Sequence, residues 1–264
     1  MTWIETTSLT FTARHEDGDT AYAEDLLDRL EDLSLKLEDR FEAVPGDVTV
    51  IVHPSPIWLN MAHPFLPAVR WSAAPAGRRY LAGWPMATEV HVLGEAAMTK
   101  RAAGEASMEA LRGTAERLYT QIVLAANNES IPPPWTPTRF LRYLRWAWLV
   151  EGGGQHFSRQ VDFYRAAVIR RLREGSRPSF PPSRRDAILL GGTIFDLLEE
   201  YRGGGACEML IARLRRDGPE ANLEAAFDLP MPDIEAMWRS YLRDLVSPDV
   251  DVRADLPAGM PPDF

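Results

Sequence analysis

The chain has 264 residues, is 45% hydrophobic and contains one cysteine, which excludes disorder for most of its length and excludes an internal disulfide framework. The formal net charge of -9 disfavours nucleic acid as a partner. No run approaches the roughly 20 apolar residues of a membrane span, and residues 1–12 lack the basic head and apolar run of a signal peptide, so a cytoplasmic location is expected.

Residues 9–14 alternate like a strand, and Gly18, Asp19 and Thr20 supply a turn and a helix start. From 20 to 41, Leu26, Leu27, Leu30, Leu33, Leu37 and Phe41 recur at intervals of three and four, which predicts an amphipathic helix with its acids facing outward. Val48 to Val52 is a β-branched run suited to a buried strand. Residues 54–85, rich in proline and small residues without clear period, read as a long irregular connection or a broken strand. Residues 89–93 predict another strand, and 104–127 a long helix.

After Pro132, Pro133 and Pro134 the chain reads as helical near 137–174, 184–202, 204–217, 220–227 and 231–246, with glycine and proline at the breaks. The tail 247–264 is expected to be extended. The fold class that follows is α+β, mainly α: a small N-terminal β-sheet with helices over 1–127, then a helical C-terminal part of the same domain over 128–246.

Charge is unevenly spread. Residues 1–50 hold 13 acids and 4 bases, whereas 139–185 hold 11 bases and 3 acids. Either these stretches soften each other's field, or Arg139, Arg142, Arg145, Arg165, Arg170, Arg171 and Arg173 receive an acidic ligand. Most of the eight tryptophans are expected in the core. Gly152, Gly153 and Gly154, inside a predicted helix, imply close packing against 104–127 or an opened floor for a ligand. The glycines at 191–192 and 203–205 are expected to pack and to end helices.

Two segments carry a resemblance. Leu111-Arg112-Gly113-Thr114-Ala115-Glu116-Arg117-Leu118-Tyr119-Thr120 is followed by Trp148-Leu149-Val150-Glu151-Gly152-Gly153-Gly154-Gln155-His156-Phe157. They resemble the metal-binding helix and the following W-L-x-E-G-x-A-x-[YF]-F helix of the gluzincin, or peptidase MA-like, zinc hydrolases. Phe195 to Tyr201, and the segment from Glu220 to Leu242, are similar to later helices of that family, so the likeness spans most of 20–245. It implies a zincin-like fold and a cleft around the second helix's glutamate, Glu151.

With Glu116 aligned to the family's catalytic glutamate, Ala115 and Tyr119 stand where the two histidines belong, and only Glu151 remains of three zinc ligands. No cofactor and no metal is therefore expected. Losing the metal forfeits a fall in the pKa of bound water from roughly 15.7 to about 7, which general-base help of about 10² to 10⁴ fold from one carboxylate does not replace. The expectation is a non-catalytic, metallopeptidase-like scaffold that binds an unidentified peptide, protein or small ligand. Glu116, Tyr119, Trp148, Glu151 and His156 are the candidates for its cleft. The alternative is a hydrolase with a relocated metal site, joining Glu151 to His156 or His63, or metal-free chemistry between Glu116 and Glu151.

Overall fold

The computed structural model describes residues 3–174 and 176–245; the tail expected to be extended from 247 onward lies outside the described residues. β1 (Trp3–Thr7) and β2 (Phe11–Glu16) form an antiparallel hairpin, with Trp3 opposite Glu16 and Thr7 opposite Thr12. α1 (Thr20–Glu38) crosses over to β3 (Val48–His53), which lies parallel to β2. β4 (Gly83–Pro85) pairs antiparallel with β5 (Glu89–Leu93), and β5 lies parallel to β3. The result is a five-stranded mixed sheet in the order β1-β2-β3-β5-β4. The predicted leucines of α1 are buried against it, and Val48, Val50 and Val52 point inward from β3. β1 extends the sheet beyond the strands expected from the sequence.

Residues 54–85 are not irregular. They contain α2 (Pro56–Ala62), α3 (Leu66–Ser72), a 3-10 segment over Pro75–Tyr80 and then β4. Each of the three helical pieces starts with proline in its first turn, where the missing N–H costs nothing. Each is too short to show a period.

The helix expected over 104–127 is divided at Gly113 into α5 (Glu105–Arg112) and α6 (Thr114–Asn127), after a short α4 (Glu95–Thr99). A Cβ at Gly113 would meet the Gln160 amide, so that side chain packs where the two helices join. The stretch 137–174 is likewise three pieces: α7 (Pro137–Phe157), kinked at Trp146, a 3-10 turn over Val161–Tyr164, and α8 (Arg165–Arg173). α9 (Ala187–Arg202), α10 (Gly204–Ala212), α11 (Pro219–Phe227) and α12 (Met231–Leu245) complete the described chain. No helix among the described residues is long and apolar enough to cross a membrane.

One cluster of buried side chains runs from Phe11 to Leu242, and the fold is α+β, mainly α. α6 lies at its centre, buried at every residue from Thr114 to Ala125. α7 and α9 cross where Gly152 faces Gly191, and a Cβ on Gly191 would lie 2.5 Å from the Trp148 carbonyl oxygen. Gly153 faces Leu124, Ile211 and Phe195, and Gly154 faces Arg117 and Gln121. All three glycines of α7 therefore serve packing, against α9 and α10 as well as α6. Gly191 and Gly192 pack as expected, and Gly203 ends α9 with φ of +85°.

Three of the seven arginines of this stretch are held within the fold. Arg139 and Arg142 donate to the carbonyls of Pro133 and Ser130, and Arg171 donates two buried hydrogen bonds to Asp186, from Nε to Oδ1 and from Nη2 to Oδ2. Trp146, Trp148 and Trp238 are buried, Trp84 and Trp135 stack at the core's edge, and Trp3, Trp58 and Trp71 are exposed.

Candidate functional site

Glu151 projects from the middle of α7 toward α6. Its Oε2 accepts from Arg117 Nη1 at 2.5 Å and from Gln121 Nε2 at 3.1 Å, and its Oε1 accepts from the Tyr143 hydroxyl at 2.8 Å. Arg117 and Gln121 stand four apart on α6, so they present one face to α7. Glu151, Arg117, Gln121 and Tyr143 are all buried. Burial, and then the Glu151 charge, hold the Tyr143 phenol well above its ordinary range, which keeps it a neutral donor. The space beside Glu151 amounts to about 10 Å³, lined by Val69 and Ala73 around α3, by Leu81 and Arg184, and by Ala187 and Ile188 at the start of α9.

Ala115, Glu116 and Tyr119 do not meet Glu151. Two residues along a helix is a turn of about 200°, so a side chain two positions from Arg117 points to the opposite side of α6. Tyr119 accordingly lies against β2 and α1: its hydroxyl donates to the Pro45 carbonyl at 2.9 Å, lies 3.1 Å from Ser34 Oγ, and its ring meets Phe11 edge-on. Burial pushes its phenol up. Ala115 is enclosed completely, and Trp148 is a core residue. The expected convergence of these positions on Glu151 is thus corrected; the pair facing it is Arg117 and Gln121.

Glu116 opens instead onto the far side of α6. Its Oε1 pairs with Arg29 Nη1 at 2.8 Å, while its Oε2 is buried without a hydrogen-bond partner. Burial pushes this carboxyl up, and the Arg29 guanidinium opposes the shift. Glu116 forms part of a cleft of about 670 Å³ between α1, the end of α7 and α9. His156 lines the same cleft, its Nδ1 2.9 Å from Asp196 Oδ1 and its Nε2 3.8 Å from Glu199 Oε2. Of the five candidates read from the sequence, Glu116 and His156 share this space. Arg29, Asp196 and Glu199 were not singled out by sequence; the signal for Arg29 is a base midway along a mainly acidic helix.

Three other histidines gather at the end of the sheet. His53 Nε2 lies 3.0 Å from His91 Nδ1, and the His63 ring meets His91 edge-on at 4.1 Å between centroids. Burial holds His53 and His63 down at about 4, with neighbouring imidazoles adding to the effect. Burial also lowers His91, against the pull of Glu89. With His156 bonded to Asp196 and His63 set against His91 and Trp84, neither joins Glu151. Among the described residues, no group of three or more His, Cys, Asp or Glu is arranged to hold a metal ion.

Comparison of the chain with protein-family models, with curated proteins and with solved structures finds no match.

Proposed function

We propose that the chain is a non-catalytic, pseudo-peptidase-like binding protein on the plan of the peptidase MA-like zinc hydrolases, holding a peptide, protein or small ligand rather than cleaving it. What carries this reading is the state of Glu151. A catalytic zinc site needs three protein ligands and an open fourth position. Here the carboxylate in the third-ligand place is met by Arg117, Gln121 and Tyr143, and the space beside it is too small for a substrate.

On this reading the resemblance moves by two residues along α6. Arg117 and Gln121 then occupy the places of the paired histidines, and a guanidinium supplies the positive charge that a metal would bring. The family glutamate falls on Leu118, an apolar residue with no proton to exchange. The cleft on the other side of α6 is the space left for a ligand.

The test has two arms. The purified protein should contain no stoichiometric zinc by elemental analysis and should leave a peptide library intact; chelator-sensitive cleavage would sink the proposal. In the second arm, Arg117→His with Gln121→His should bind zinc through the new pair and Glu151, and raise the melting temperature in its presence. Ala115→His with Tyr119→His should not.

A further inference from the structure

We infer that the cleft between α1, α7 and α9 binds a compact organic cation, an ammonium or guanidinium group, with Glu116 as its anchor. The proposal rests on the reading of the chain as a binding protein and names the chemistry of its ligand.

Glu116 carries the inference. It is nine-tenths buried, lines the cleft, and spends one carboxylate oxygen on Arg29 while the other has no partner. Buried polar atoms in native proteins are nearly always satisfied, so an orphaned acceptor at the floor of a cleft marks the place of a donor that arrives from outside. A carboxylate accepts and cannot donate, which makes that arriving group an N–H or O–H donor. A positively charged donor also offsets the cost of burying the carboxylate, which a neutral one does not.

The lining is acidic on balance, although Arg29 Nη2 is itself buried without a hydrogen-bond partner. Six carboxylates face four Lys or Arg across the cleft; Arg29 pairs with Glu116 and Asp25, and Arg40 with Glu208 and, at 4.0 Å, with Glu199, so the acids outnumber the bases. Asp196 and Glu199 flank His156 at the opposite wall, with Arg40 4.0 Å from Glu199, giving a second acidic position for a ligand with two amines or an extended basic peptide. A volume of about 670 Å³ lies within the roughly 300–1,000 Å³ common for small-molecule sites, and exceeds what one water needs.

Isothermal titration calorimetry on the full chain tests this with three probes: spermidine, an acetylated and amidated tetra-arginine peptide, and a tetra-glutamate peptide. At least one cation should bind, with affinity falling as salt rises, and the anion should not. Binding of spermidine alone identifies a small polyamine-like ligand, and preference for the arginine peptide identifies a basic peptide. Glu116→Gln should weaken binding at least tenfold. Because that change also leaves Arg29 less well paired, Asp196→Asn with Glu199→Gln is measured beside it and should weaken binding severalfold, with circular dichroism confirming that each variant is folded. Binding of tetra-glutamate, unaltered affinity in both folded variants, or no cation binding by the wild type overturns the proposal. Peptide cleavage by the wild type would instead remove the reading beneath it.

Discussion

Arg117 and Glu151 form an ion pair with 2.5 Å between Nη1 and Oε2, and both side chains are closed off from solvent between α6 and α7. Taking two charges out of water costs several kcal/mol each, so such a pair holds together through its geometry and its added hydrogen bonds. Gln121 and Tyr143 supply those bonds to Glu151, while Arg117 Nε and Nη2 have no hydrogen-bond partner. Glu151→Gln keeps the shape and removes the charge, leaving a buried guanidinium uncompensated. The expected loss is about 3–5 kcal/mol in urea unfolding. Replacing both members, Arg117→Met with Glu151→Leu, should cost less than that single change. A loss below about 1 kcal/mol for Glu151→Gln would show that water reaches the pair.

How much of this was legible in the sequence follows from how each element meets its surroundings. α1 has one buried face and one wet face, so its leucine spacing located it and its inward side. β3 and β5 are buried runs rich in β-branched residues, and they too were readable. α6 is enclosed on all sides, and a helix buried all round carries no polarity that tells one face from another. The choice between Ala115 with Tyr119 and Arg117 with Gln121 therefore had no support from periodicity. A base and an amide four apart inside an apolar helix were the available signal. The pieces between 54 and 85 failed for a different reason, because seven residues are too few for a period; their first-turn prolines were the clue.

The crossing of α7 and α9 makes a prediction about two glycines of opposite kind. A Cβ on Gly152 would lie 2.5 Å from the Gly191 carbonyl oxygen, a backbone atom that cannot turn aside as a side chain does. Overpacking costs about 1–3 kcal/mol where neighbours can shift, so Gly152→Ala should lose about 3 kcal/mol or more. Gly205, in the first turn of α10, meets nothing within 4 Å. There alanine lowers the backbone entropy lost on folding, and Gly205→Ala should be neutral or stabilising by up to about 1 kcal/mol. Thermal and urea unfolding of the two variants check both signs.

The histidine cluster at the end of the sheet sets a dependence on pH. His53 and His63 ionise at about 4 in the folded chain against 6.5 when exposed, and His91 is shifted the same way. Above 6.5 both states carry neutral imidazoles, and these groups add no slope. Between 6.5 and about 4 the unfolded chain binds protons that the folded chain refuses, so stability falls as the solution is acidified, and the loss stops growing below about 4. Glu89, beside His91 Nε2 at 3.3 Å, moderates the effect for that ring. Glu116 works in the opposite sense: its carboxyl is raised in the folded state, so the folded chain binds the extra proton and gains stability in acid. The two contributions separate by substitution. His63→Gln should make the decline in unfolding midpoint between pH 6.5 and 5 shallower, since one of the buried neutral rings is gone. Glu116→Gln should leave the histidine part in place and steepen the net decline. A midpoint that does not change between pH 6.5 and 5 in Glu116→Gln, where the opposing carboxyl is gone, would mean that the three rings are hydrated and free to take up protons in the folded chain.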